Sequence, residues 1–62
     1  MYRLTIKQGK QEIMEQVFKD EHRRQAVDSF LQHVKDYLHV EQKVHIWLLG
    51  GAGNIVVEFK IN

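Results

Sequence analysis

The chain has 62 residues, with nine Lys and Arg against eight Asp and Glu for a formal net charge of +1, and neither cysteine nor proline. This length makes a single domain, residues 1–62, which buries only about 60% of the surface its unfolded form exposes. The absence of cysteine excludes disulfides and thiolate metal sites as reinforcement, and the balanced charge excludes a strong overall field for gathering nucleic acid or an anionic membrane.

Tyr2, Leu4 and Ile6 alternate with Arg3, Thr5 and Lys7, the period of a strand with one buried and one wet face. Gly9-Lys10 suits a two-residue turn with glycine first, so Gln11 to Phe18 returns antiparallel. That turn sets Ile6 opposite Ile13, Tyr2 opposite Val17 and Lys7 opposite Glu12, at the cost of Glu15 on the inner face. A three-residue loop would instead turn Met14 and Phe18 inward.

Asp20 is the predicted N-cap of a helix running from Glu21 to about Leu38. Val27, Phe30, Leu31, Val34, Tyr37 and Leu38 recur at helical spacing and form one apolar stripe, while His22, Gln25, Asp28, Ser29, Gln32, His33 and Asp36 point away from it. After a short polar connection, Val44 to Leu49 and Asn54 to Ile61 form a second hairpin around Gly50-Gly51-Ala52-Gly53. A four-residue loop pairs Leu48 with Ile55, Ile46 with Val57 and Val44 with Phe59 beneath the helix; it sets Trp47 opposite Val56 and His45 opposite Glu58 on the other face.

The elements therefore predict an α+β fold in the order ββαββ: a four-stranded, mainly antiparallel sheet with one helix packed on one face, its strand order left open. The second hairpin is apolar on both faces, and one helix covers only one of them. Trp47, Leu49 and Val56, with Met14 and Phe18 from the first hairpin and His45 beside them, are thus the expected partner-binding residues on the uncovered face.

Catalytic and metal motifs have simpler readings. The glycine run precedes a strand rather than the helix a phosphate cradle needs, and glycines serve a hairpin tip. None of His22, His33, His39 and His45 forms an i, i+4 histidine pair; His33 with Asp36 makes only a two-ligand fragment. Arg23-Arg24 sits where the helix dipole prefers acids, but Asp20, Glu21 and Asp28 can neutralise it. Thr5 and Ser29 are the only hydroxyl nucleophiles of serine or threonine type, neither in a recognisable setting. We therefore expect no enzyme, metal or cofactor, and name His45 with Glu58 as the one acid–base pair a small enzyme could use.

The leading expectation is a non-enzymatic protein–protein interaction or regulatory module that self-associates, most simply as a homodimer, through the uncovered sheet face; the same face could hold a heterologous protein partner. The alternative is single-stranded nucleic-acid binding, with bases stacked on Trp47 and Phe18 and phosphates held by Arg3, Lys7, His45 and Lys60. Met1 to Lys7 lacks the continuous apolar core of a signal peptide, and no stretch approaches the roughly 20 apolar residues that cross a bilayer. The sequence thus predicts a soluble, cytoplasmic protein without membrane contact.

Overall fold

The computed structural model describes residues 1–61. Strands β1 (Tyr2–Gln8) and β2 (Gln11–Phe18) precede a short 3₁₀ turn (Asp20–His22) and helix α1 (Arg23–Asp36); β3 (Val44–Leu49) and β4 (Ile55–Ile61) follow. All neighbouring strands are antiparallel, in the order β2-β1-β3-β4. The ββαββ expectation holds, and the order places the first strand of each hairpin at the centre of the sheet. No helix of the described residues is long and apolar enough to cross a membrane.

The core is built from the inner residues of the two central strands. Leu4 and Ile6 of β1 and Val44, Ile46 and Leu48 of β3 are buried against Ala26 and Phe30 of α1. Ala26 is fully buried within this cluster although it is the smallest side chain in it. The helix packs on β3, β1 and β2 but scarcely reaches β4. Ser29 Oγ lies 3.5 Å from Gln16 Oε1 of β2, so that flank of the helix faces β2. The opposite flank, which carries Leu31 and is continued by Leu38 in the turn after the helix, lies toward β4. Both belong to the predicted stripe, yet they are 56% and 54% exposed.

Both hairpins contain a bulge, and each bulge corrects a predicted pairing. In the first, the two-residue turn is present and Gly9 takes φ +63°, with Gln8 opposite Gln11 and Lys7 opposite Glu12. The register then slips, so that Ile6 faces Met14, Leu4 faces Gln16 and Tyr2 faces Phe18. Ile13 is the extra residue and stands outside the pairing. The slip brings Met14 and Phe18 to the helix side, where they pack against the core, and removes Glu15 to the other face; burial of two large apolar side chains outweighs an unbroken ladder.

In the second hairpin the Gly50 amide donates to the Asn54 carbonyl at 2.8 Å, and the Gly53 amide to the Gly50 carbonyl at 3.0 Å. The loop is thereby closed one residue tighter than predicted, with Gly53 at φ +83° as such a turn requires. A bulge at Val56 follows. It leaves Leu48 opposite Val57, Ile46 opposite Phe59, Val44 opposite Ile61, Trp47 opposite Glu58 and His45 opposite Lys60. Each partner is two residues beyond the predicted one, which preserves the faces.

The helix also starts later than predicted. Asp20 lies in the 3₁₀ turn, where its carboxylate accepts the Met1 ammonium instead of capping α1; His22 holds the cap position without a side-chain hydrogen bond. The helix ends at Asp36, where the Tyr37 amide is shared between the His33 and Val34 carbonyls.

Candidate functional site on the helix-free sheet face

The face opposite α1 is ordered as cross-strand rows. Glu12, Lys7, His45 and Lys60 form one row across β2, β1, β3 and β4; Glu15, Thr5, Trp47 and Glu58 form the next; Val17, Arg3 and Leu49 follow. These positions share a face because directly opposed residues of antiparallel strands project to the same side.

Trp47 sits near the middle of this face, half-buried. Its indole lies beside the His45 imidazole, ring centroids 4.3 Å apart and planes tilted by 32°. His45 Nε2 is in turn 2.7 Å from Glu58 Oε2. Thr5, flanked by Trp47 and Glu15, is only 4% exposed despite lying on the side without a helix. Arg3 Nε stands 3.7 Å from Glu15 Oε1, which sets one ion pair at the edge of this patch.

The predicted partner-binding residues therefore divide. Trp47, His45 and Leu49 are together on the helix-free face. Met14 and Phe18 are on the helix side, and Val56 lies in the bulge and packs against the core. The face is less apolar than the sequence pattern implies.

A concavity at one end of the same face was not anticipated. It encloses about 230 Å³ and is lined by Lys7, Gly9, Lys43, Val44, His45, Lys60 and Ile61, with basic side chains and no carboxylate among its walls. Lys7, His45 and Lys60 come together because they occupy one row, while Lys43 joins them where the Gly9 amide donates to its carbonyl at 2.8 Å. The signal in the sequence was the outward parity of Lys7, His45 and Lys60 on three separate strands. A second concavity of about 240 Å³ lies at the opposite end, between Met1, Arg3, Val17, Leu49 and the glycine loop. Among the described residues no group of three or more metal-ligating side chains comes together.

No family model, curated protein or solved structure matches the chain.

Proposed function

We propose that this chain is a non-enzymatic interaction module whose helix-free sheet face binds another protein through Trp47. The observation that carries this reading is the position of the indole: half-exposed in a central strand, with His45 and Leu49 beside it and a rim of charges. Large amphipathic side chains at the centre of a patch, ringed by polar groups that exclude water, concentrate binding energy. The basic walls of the adjoining concavity suit a partner that offers an apolar anchor with a carboxylate next to it.

Stacking two copies of this face on each other is disfavoured on physical grounds. It would bury Arg3, Lys7, Glu12, Glu15, Glu58 and Lys60 for the sake of Trp47, Leu49 and Val17, and desolvating charges costs several kcal/mol per ion unless each is well paired. The face is better suited to a heterologous surface.

A second reading, single-stranded nucleic acid, draws on the same concavity, since Lys7, Lys43 and Lys60 could hold phosphates beside a stacking indole. Its predicted second platform, Phe18, packs against the core on the helix side, which leaves Trp47 as the remaining aromatic.

The test is site-specific photo-crosslinking from position 49 in cells that express the chain, run with and without Trp47→Gln. A discrete protein adduct lost in the variant supports the proposal. Adducts that the variant leaves unchanged overturn it, and salt-sensitive binding of a fluorescent oligonucleotide by the wild type but not the variant favours the second reading.

A further inference from the structure

The two edges of the sheet differ in chemistry. Edge strand β2 is interrupted by the Ile13 bulge and carries Glu12 and Glu15 with no basic residue between Gln11 and Phe18. A charged, bulged edge resists pairing with another strand. Edge strand β4 is regular from Val57 to Ile61 and carries one residue of each sign, Glu58 and Lys60, two positions apart.

Its backbone is open to pairing. The Gly9 amide donates to the Lys43 carbonyl, one step beyond the Gln8–Val44 pair. Alternation along the ladder then directs the amides and carbonyls of His45, Trp47 and Leu49 to β1, and those of Val44, Ile46 and Leu48 to β4. Val57, Phe59 and Ile61, opposite these last, are bonded back to β3. The amides and carbonyls of Glu58 and Lys60 consequently point outward from the free edge.

From this geometry we infer that two copies of the chain pair antiparallel along β4, with a two-fold axis at Phe59. The inference is independent of what the Trp47 face binds. With both helices on one side of the joined sheet, opposed residues must have matching faces, so the axis passes through a residue rather than between two. An axis at Glu58 or Lys60 sets like charges opposite each other, which is destabilising. An axis at Val57 draws the Val56 bulge into the ladder. An axis at Phe59 sets Glu58 opposite the partner's Lys60 and Lys60 opposite the partner's Glu58, in the positions where the free amides and carbonyls bond. It also sets Phe59 against the partner's Phe59 and Val57 against the partner's Ile61 on the helix side, where α1 leaves these half-buried side chains uncovered.

Sheet pairing then uses what the monomer leaves free. Lys60 forms no ion pair among the described residues, and the one polar side-chain partner of Glu58 among them is the His45 imidazole. Lys60 turns from the rim of the basic concavity to the partner, while Lys7, Lys43 and His45 continue to line it.

Charge reversal tests the register. Sedimentation equilibrium of the full chain from about 10 µM to about 1 mM is expected to show a monomer–dimer equilibrium, weakened at least tenfold in Glu58→Lys and in Lys60→Glu. An equimolar mixture of the two variants restores dimerisation, because every facing pair is again of opposite sign; so does the chain carrying both substitutions. In the wild type, hydrogen exchange of the Glu58 and Lys60 amides slows as concentration rises, a readout that needs no variant. A wild type that stays monomeric to about 1 mM, or single variants that dimerise as well as the wild type, or a mixture that fails to recover, overturns the inference. Dimerisation unaffected by Trp47→Gln is the expected result and separates this interface from the proposed partner face.

Discussion

His45 Nε2 lies 2.7 Å from Glu58 Oε2 although Lys60, not Glu58, stands directly opposite His45 in the ladder. The imidazole leans diagonally across the sheet, and in doing so it lies against the Trp47 indole. The pair is 31% and 42% exposed at its side chains, so its direct contribution to stability is small. A double-mutant cycle with His45→Ala and Glu58→Gln, read by urea denaturation, should give a coupling below about 1 kcal/mol. The larger effect is optical: removing the imidazole exposes Trp47, and the fluorescence maximum of His45→Ala should shift to the red.

Phe30 and Leu31 are neighbours in the predicted stripe with opposite fates, Phe30 buried beneath the helix and Leu31 exposed on its β4 flank. Phe30→Ala should cost about 3–5 kcal/mol, comparable with the whole stability of a domain this small. Leu31→Ala should cost less than about 1 kcal/mol. Thermal or urea unfolding of the two variants separates them.

Gly53 occupies the left-handed region at φ +83° with nothing within 4 Å of where a Cβ would stand. Gly53→Ala should therefore destabilise by about 1–2 kcal/mol through the backbone alone, and Gly53→Asn should recover part of that loss. Gly50 presents the reverse case. Its added Cβ meets Asn54 Oδ1 at 2.8 Å, a clash with a side chain rather than a φ requirement, so Gly50→Ala combined with Asn54→Ala should be milder than Gly50→Ala alone.

Deleting Ile13 should be tolerated. The residue is 41% exposed and outside the β1–β2 pairing, and its removal leaves Met14 opposite Ile6 and Phe18 opposite Tyr2 in an unbroken ladder. Nuclear Overhauser contacts from Met14 to the Ile6 side chain should survive the deletion; their loss would mean that the bulge is needed to turn β2 inward.

The parts of this fold legible in the sequence are those set by strict alternation. Leu4, Ile6, Val44, Ile46 and Leu48 are read as inward and are buried, because a central strand has neighbours on both sides that hold its period. The edge strands were misread where a bulge adds a residue. Nothing local marks Ile13 or Val56 as extra; in the first hairpin the choice is made by Met14 and Phe18, which pack against the core on the helix side. Ala26 lies outside the predicted stripe because periodicity weighs large apolar side chains, yet it is fully buried in the core. Leu31 and Leu38 have the right spacing, but the helix lies over β1 and β3 and leaves their flank bare. Within the candidate site, Trp47, His45 and Leu49 follow from alternation, while the basic concavity needed the strand order to bring β1, β3 and β4 side by side.

The unlike edges also set how far assembly can go. A sheet that is adhesive along both sides adds copies without end and grows into a filament. Here the Ile13 bulge and the glutamates of β2 close one side. In the proposed pairing, joining two β4 strands would leave only blunted margins facing outward, and growth would terminate at a pair.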